Sequence, residues 1–276
     1  MVIKRIVSGL ALVVVLTAVI FWLPTFLVAL TIALVVGAGL AEFYQLTEIK
    51  GYQPFKGWGI SMGIIVTVSS YIMAAGNYMT DVDRIISIML FFIIFIVMIK
   101  YAFRKNGPSV IVNGAITLLG ILYVAFLFTF IIKLAFTPDA YAGRGTVMSL
   151  ILITKSSDVG AYFFGSKWGR HKLIPRISAK KSIEGSVAGV LCAVVVSMIL
   201  KLWFLTGLSL LAAGGLGVLL GVVGQAGDLT ESLLKRDAAV KDSGRHIPGM
   251  GGILDILDSL LFAAPAMYIY LWIFKI

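Results

Sequence analysis

Two pairs of acidic residues near the C-terminus have a spacing that suits a metal site. Asp255 and Asp258 are three residues apart, as are Asp228 and Glu231, so the carboxylates of each pair share one face of a helix. Neighbouring carboxylates repel each other unless a cation or a proton lies between them. Mg²⁺ prefers oxygen ligands and often binds through one or two carboxylates together with substrate phosphates. The pattern therefore favours a magnesium site.

Each acidic pair also has a structural interpretation, which the sequence leaves open. Asp255 and Asp258 begin the last apolar segment, and the helix dipole favours acidic groups at an N-terminus. Asp228 and Glu231 end the preceding apolar segment, where acidic groups oppose the dipole. This second pair needs a partner, which is either a metal ion or the Lys235–Arg236 pair that follows it.

Two segments rich in lysine and arginine are candidates for binding phosphate. They are Ser166–Glu184 and Leu233–Gly252. Lysine supplies a point charge and arginine supplies bidentate hydrogen bonds, so such clusters neutralise phosphates, although they also suit anionic lipid headgroups. Glycines before the last apolar run allow backbone N–H groups at a helix start to bind an anion, with a tight turn as the alternative. The candidates are Lys167, Arg170, Lys172, Lys180, Lys181, Lys235, Arg236 and Lys241, interleaved with Ser178 and followed by Gly251 and Gly252.

One charged pair interrupts an apolar segment in the middle. Lys155 and Asp158 lie within Thr146–Gly165. A charge inside a membrane costs about 2.5–3.5 kcal/mol on insertion scales, so such residues usually face a cavity or each other. Their spacing of three residues predicts a mutual ion pair. Asp158 is also a candidate for the wall of a functional cavity.

The elements that must position these residues are membrane helices. The chain has 276 residues, of which 60% are hydrophobic and 13% charged, whereas soluble domains have about 25% charged residues. This composition predicts an all-α polytopic membrane protein with about nine spans. The predicted spans are Ile6–Leu23, Thr25–Leu40, Trp58–Ala75, Ile85–Ile99, Ser109–Ile132, Thr146–Gly165, Gly185–Phe204, Leu208–Gly227 and Gly252–Phe274. Ser182 is predicted to cap the seventh.

The distribution of lysine and arginine predicts the orientation of the chain. With the N-terminus inside and nine spans, both basic segments and most other Lys and Arg residues lie in cytoplasmic loops. The positive-inside rule therefore places the N-terminus in the cytoplasm and the C-terminus outside. The net charge of +10 is thus explained by orientation and anionic partners. Nucleic acid is not expected as a partner, because the spans leave no soluble domain to carry it.

Two segments of the C-terminal half, Gly227–Ser259 and Ser156–Gly185, carry long motifs. The motif of the first consists of Ser232, Lys235, Arg236, Lys241, Asp242, Gly244, Pro248, Gly249, Gly251, Gly252, Asp255 and Asp258. The motif of the second consists of Asp158, Gly160, Tyr162, Gly165, Lys180, Lys181, Glu184 and Gly185. The first segment resembles the C-terminal signature of the phosphatidate cytidylyltransferase (CDP-diacylglycerol synthase) family, and the second resembles the other typical segment of that family.

The resemblance implies transfer of CMP from CTP to phosphatidate, giving CDP-diacylglycerol and pyrophosphate in phospholipid biosynthesis. It implies Mg²⁺, with a second cation possible, and a homodimer in a bacterial cytoplasmic membrane with the active site facing the cytoplasm. Residues 1–145 would form N-terminal membrane helices, and residues 146–276 the catalytic region. The implied metal ligands are Asp228, Asp255 and Asp258. These three act in catalysis with Lys235, Arg236, Lys241 and Asp242, while Asp158, Lys167, Arg170, Lys172, Ser178, Lys180, Lys181, Glu184, Gly251 and Gly252 bind substrate.

Two departures from the family pattern keep other interpretations open. Met250 replaces a histidine of the pattern and Ile256 replaces an arginine. Methionine cannot transfer a proton and isoleucine cannot contact phosphate, so a catalytically impaired family member is one alternative. An ion-coupled transporter is another, because intramembrane carboxylates also serve as ion relays. Charge crowded on one membrane side and the lack of an internal repeat argue against transport.

Overall fold

The computed structural model describes residue 19 and residues 22–76, 78–103, 110–136, 140–244 and 251–274. Eight helices in these ranges are long and apolar enough to cross a membrane, so the prediction of an all-helical, polytopic membrane protein is confirmed. They correspond one to one with the second to ninth predicted spans. The first predicted span, Ile6–Leu23, lies almost entirely outside the described residues.

The helices differ in length and in the segments that connect them. They are α1 (Thr25–Ile49), α2 (Lys56–Ala75), α3 (Met79–Ala102), α4 (Val110–Gly120), α5 (Leu127–Ala135), α6 (Ala140–Trp168), α7 (Ile183–Leu200), α8 (Leu210–Asp237) and α9 (Leu254–Ile273). A π-helical segment, Ile121–Phe126, joins α4 to α5, so these two helices form a single candidate span, Val110–Ala135. The orientation of the termini stays a prediction, as does the division of function between residues 1–145 and 146–276.

The chain forms two compact units, of which the first comprises Met1–Lys133 and Asp237–Ile256. Its core is organised around Tyr44 of α1, whose ring packs beside Gly120 at the start of the π-helical segment. The buried Tyr44 hydroxyl donates to the carbonyl oxygen of Thr117 at 2.7 Å. The Thr117 hydroxyl in turn accepts from the backbone N–H of Phe55 at 3.0 Å. Buried polar groups are therefore paired across α1, α4 and the loop before α2, as burial requires.

The second unit comprises Leu134–Arg236 and Leu257–Ile276. In this unit α6 and α7 pack backbone against backbone. A Cβ atom added at Gly185 would lie 2.7 Å from the carbonyl oxygen of Ala161 and 2.8 Å from Cα of Gly165, and one at Gly189 would lie 2.7 Å from the carbonyl oxygen of Ser157. Small residues are what allow helices to approach this closely inside a membrane.

Helix α7 shows two stripes with a period of four residues. Its buried stripe consists of small residues and its exposed stripe of large aliphatic ones. This pattern is typical of a membrane helix that packs through its small residues and presents its large apolar residues to the surroundings. The buried stripe is Gly185, Gly189, Ala193 and Ser197, and the exposed stripe is Ile183, Val187, Leu191 and Val195.

The basic segment between α6 and α7 contains a short antiparallel hairpin, which the sequence analysis treated as a loop. Strands β1 (Lys172–Ile174) and β2 (Ser178–Ser182) pair in it. The predicted cap is confirmed, because the Ser182 hydroxyl accepts from the backbone N–H of Gly185 at 3.2 Å. The hairpin ends where α7 begins, so its lysines are held next to the start of that helix.

Candidate functional site

Three carboxylates converge in the second unit. One carboxylate oxygen each from Asp228, Glu231 and Asp258 lies within 4.8 Å of the others. Glu231 and Asp258 are buried, and Asp228 is partly buried. We call these three residues the acidic cluster. It brings α8 and α9 together, and two of its three members are buried ionisable groups.

The two helices that carry the acidic cluster meet through glycine. A Cβ atom at Gly227 would overlap the carbonyl oxygen of Asp258 and would lie 3.2 Å from Cα of Ser259. One turn earlier, a Cβ atom at Gly224 would lie 3.7 Å from the Cβ atom of Ser259. This close approach brings residues on the same turn of each helix, Asp228 and Asp258, near one another.

Each carboxylate of the acidic cluster has an ammonium group nearby. Lys181 of β2 lies 2.6 Å from Asp228 Oδ2, and Lys235 forms an ion pair with Glu231 one helical turn away. Lys155 Nζ lies 3.9 Å from Asp258 Oδ1. Charge on these carboxylates is therefore balanced by lysines from three different elements, α6, β2 and α8.

Lys155 also connects the acidic cluster to Asp158. Its Nζ atom lies 3.3 Å from Asp158 Oδ2, so the predicted pair is confirmed, and it donates to the Ser259 hydroxyl at 2.9 Å. With Asp158 included, four carboxylates face three lysines. Such a group can exchange partners, because its carboxylates suit a divalent cation and its ammonium groups suit phosphate oxygens.

A glutamine one turn before Asp228 fixes α8 against α6 and α7. Gln225 Nε2 donates to the Ser157 hydroxyl of α6 at 3.1 Å and to the Ser186 carbonyl oxygen of α7 at 3.0 Å. The Ser186 hydroxyl donates back to Gln225 Oε1. Both ends of the amide are used, so the rotation of α8 is set close to the acidic cluster.

The remaining predicted residues of the hairpin region lie largely on its exposed surface. Glu184 accepts from the backbone N–H groups of Arg170 at 3.1 Å and His171 at 3.2 Å, and so closes the base of the hairpin. Arg236 Nε donates to the carbonyl oxygen of Ile177 at 3.3 Å. Lys167 Nζ lies 5.1 Å from the ring centroid of Trp168. The side chains of Lys172 and Lys180 are exposed, and that of Ser178 is partly buried.

Five predicted site residues belong to the first unit, and their contacts within that unit are as follows. The Asp255 carboxylate accepts from the backbone N–H of Ser243 at 3.0 Å and that of Gly252 at 2.7 Å. Gly251 has φ of +98°, a conformation that favours glycine. Lys241 and Asp242 are exposed. The role of Asp255 as a metal ligand stays a prediction.

Glu231 is not among the metal ligands that the family resemblance implies, although its spacing from Asp228 is the same as that between Asp255 and Asp258. The spacing identifies two pairs, but only the crossing of α8 and α9 selects the three carboxylates that meet. Ile256 is buried, with 8% of its surface exposed, and Met250 lies outside the described residues.

Comparisons with a family profile and with individual relatives agree on the same kind of protein. The sequence profile of the cytidylyltransferase family matches residues 3–274. A phosphatidate cytidylyltransferase from Synechocystis sp. is 32% identical over 266 residues, covering 87% of this chain and 86% of the relative. One of the same name from Staphylococcus saprophyticus is 32% identical over 236 residues, covering 84% and 87%. A third, from Staphylococcus aureus, is 30% identical over 240 residues, covering 87% and 90%.

Proposed function

The chain belongs to the cytidylyltransferase family, and on that premise we propose that it transfers CMP from CTP to phosphatidate. An oxygen of the phosphatidate phosphate attacks the α-phosphorus of CTP, the bond from that phosphorus to the bridging oxygen breaks, and pyrophosphate leaves. The products are CDP-diacylglycerol and pyrophosphate. Relatives named phosphatidate cytidylyltransferase, similar over more than four fifths of the chain, support this substrate pair.

The observation that carries the proposal is the acidic cluster with its lysines. Carboxylate oxygens from three residues within 4.8 Å of one another are the donor type that Mg²⁺ prefers. Asp228, Glu231 and Asp258 would hold this cation. When bound, Mg²⁺ would neutralise phosphate charge and stabilise the charge that develops at the α-phosphorus.

Besides a metal site, the proposed reaction requires cationic groups that bring two anions together, the phosphatidate phosphate and the triphosphate of CTP. The lysines of this chain would supply them. The nucleophile is already an anion, so no strong base is needed, but its repulsion from the triphosphate must be screened. Lys181 and Lys235 pair with Asp228 and Glu231, and ammonium groups at these positions would also bind phosphate oxygens. Lys155 stays oriented by Asp158 and Ser259.

Other roles in the proposal rest on the resemblance of the signature segments. We assign the triphosphate and the lipid phosphate to basic residues of the hairpin and of the segment after α8, with Asp158 lining the cavity. Entry of CTP from the cytoplasm, a second cation and a homodimer belong to the same proposal. Substrate binding is assigned on the same basis to Lys167, Arg170, Lys172, Ser178, Lys180, Glu184, Gly251 and Gly252, catalysis to Arg236, Lys241 and Asp242, and metal binding to Asp255.

A transfer assay tests the proposal directly. Purified protein in lipid–detergent micelles receives radiolabelled CTP, phosphatidate and Mg²⁺, and the label that enters the lipid phase is measured. We expect incorporation that requires both phosphatidate and Mg²⁺ and is lost in Asp228→Asn. Asp81→Asn is the matched control, because Asp81 is a partly exposed residue that pairs with Arg84 at 3.2 Å in α3. Incorporation that survives Asp228→Asn would contradict the proposed site.

A catalytically impaired member is the second candidate, and the departures at Met250 and Ile256 favour it. In that case CTP binds but no label reaches the lipid. The double variant Met250→His with Ile256→Arg separates the cases, because recovered transfer would show a synthase disabled at those two positions. Transfer by the unaltered chain would exclude this candidate.

A further inference from the structure

The first unit contains a buried carboxylate that the proposed chemistry does not use. Glu42 lies in α1, and only 1% of its surface is exposed. Its neighbours along the helix are mostly apolar. An ionisable residue inside a membrane span is costly, so it calls for an explanation in terms of its partners.

The partners of Glu42 are the backbone groups at the start of α9. Glu42 Oε1 accepts from the N–H of Ile253 at 2.9 Å, and Oε2 accepts from the N–H of Leu254 at 2.8 Å. The first N–H groups of a helix have no acceptor within that helix. Glu42 therefore caps α9 from another helix, more than 200 residues earlier in the chain.

Ser243 links this cap to Asp255. Its hydroxyl lies 2.8 Å from Glu42 Oε2 and 2.9 Å from Asp255 Oδ2. Asp255 Oδ2 also accepts from two backbone N–H groups, those of Ser243 and Gly252. Each carboxylate thus accepts from two backbone N–H groups, and the Ser243 hydroxyl lies between the two carboxylates. Both carboxylates are bonded to the backbone of the turn Gly251–Asp255.

The glycines of this turn fit the same arrangement. A Cβ atom at Gly252 would overlap Glu42 Oε2 and the Ser243 hydroxyl, and one at Gly251 would overlap Asp255 Oδ2. The space beside both carboxylates is therefore filled by backbone. Glu42, Ser243 and the turn Gly251–Asp255 form one closely packed, hydrogen-bonded group.

We propose that Glu42 is a positioning residue for CMP transfer, which holds the turn Gly251–Asp255 and the Asp255 carboxylate in place. The inference rests on the proposed function, because the turn lies within Gly227–Ser259, the segment that resembles the family signature. Asp258 follows three residues later in the same helix, α9. A shift of the turn would displace the Asp255 carboxylate, which is bonded to the Gly252 N–H of that turn.

The variant Glu42→Gln tests this role with little change in side-chain shape. The amide places an NH₂ group where one carboxylate oxygen now accepts, so one backbone N–H of the α9 start loses its acceptor and meets a donor instead. We expect amide hydrogen exchange in a peptide spanning residues 251–257 to accelerate about tenfold or more. We also expect kcat to fall about tenfold or more, with KM for CTP changed less than about threefold.

The matched control is Glu48→Gln in the same helix. Glu48 is exposed and pairs with Lys56 at 2.8 Å, so the same substitution there should change neither exchange at residues 251–257 nor kcat. Ser243→Ala is a second variant, which removes only the shared hydroxyl. It should accelerate amide hydrogen exchange over the same peptide. If Glu42→Gln does not fold, this variant tests whether the hydrogen bonds around Glu42 hold the turn.

The outcomes separate the two proposals. If the unaltered chain shows no transfer, the proposed function fails, and the exchange measurement still tests whether Glu42 holds the turn. Unchanged exchange in both Glu42→Gln and Ser243→Ala would overturn the structural part of the inference. Faster exchange together with an unchanged kcat in an active enzyme would overturn the positioning role.

Discussion

Replacing Gly227 with alanine should separate two helices at the acidic cluster. An alanine Cβ atom would overlap the carbonyl oxygen of Asp258 and lie 3.2 Å from Cα of Ser259 and 3.3 Å from the carbonyl carbon of Asp258. All three are backbone atoms, which cannot rotate away as a side chain can. Because carbon atoms pack best at about 3.5–4.0 Å, α8 and α9 must move apart by roughly half an ångström or more.

Two opposing effects determine the stability of Gly227→Ala. Alanine in a helix interior is favoured over glycine by about 0.5–1 kcal/mol. Overpacking of a close contact costs about 1–3 kcal/mol. The overlap involves backbone, so we expect the second effect to dominate and to destabilise the protein by about 1–2 kcal/mol. Activity should fall more steeply, by about tenfold to a hundredfold, since a shift of 1 Å at a reacting centre can cost about a hundredfold.

The matched control is Gly214→Ala in the same helix. The nearest atom to a Cβ there is Met198 Sδ at 4.0 Å, so this variant should be as stable as the unaltered protein or more stable, with unchanged transfer. Thermal unfolding in detergent and the radiolabel assay measure both quantities. If Gly227→Ala matched Gly214→Ala in stability and activity, the close approach of α8 and α9 would not be what sets the geometry of the acidic cluster.

Three further predictions concern the same unit. Asp258→Asn should raise the Mg²⁺ concentration needed for half-maximal transfer at least about tenfold, as a Mg²⁺ titration of activity would show, and an unchanged midpoint would remove Asp258 from the ligands. Lys181→Gln should raise KM for CTP more than Lys180→Gln does, because Lys181 contacts Asp228 whereas Lys180 is exposed; equal effects in steady-state kinetics would contradict the assignment. Gln225→Leu should destabilise the protein by about 1–3 kcal/mol through unpaired buried partners, and an unchanged unfolding temperature would show that its hydrogen bonds are dispensable.

Local patterns in the sequence were sufficient to predict most of the helices. Runs of apolar residues predict the eight spans that the structure describes, because burial in lipid demands length and hydropathy. The Ser182 cap and the Lys155–Asp158 pair are also local, since each joins residues three positions apart along the chain. Features of this kind depend on helix geometry alone.

Contacts between distant segments could not be predicted in the same way. The acidic cluster depends on how α8 crosses α9. Spacing along the chain gives no reason to choose Glu231 over Asp255 as a metal ligand. Glu42 lies just after the second predicted span, Thr25–Leu40, and nothing near it in the sequence points to residues 253 and 254. The hairpin was missed because Lys172–Ser182 lacks the alternation of apolar and polar residues that is typical of a strand with one buried face.

The two stripes of α7 have a consequence for how this part of the chain can vary. Exchanges among valine, leucine and isoleucine at 187, 191 and 195 change only the exposed side of the helix. At Gly185 and Gly189 even one added methyl group meets the backbone of α6. A hydropathy scale would rank Gly189→Leu as an improvement for a membrane helix, yet it should be among the least tolerated changes in the chain. Along α7, side-chain volume rather than hydrophobicity therefore sets the limits of neutral drift.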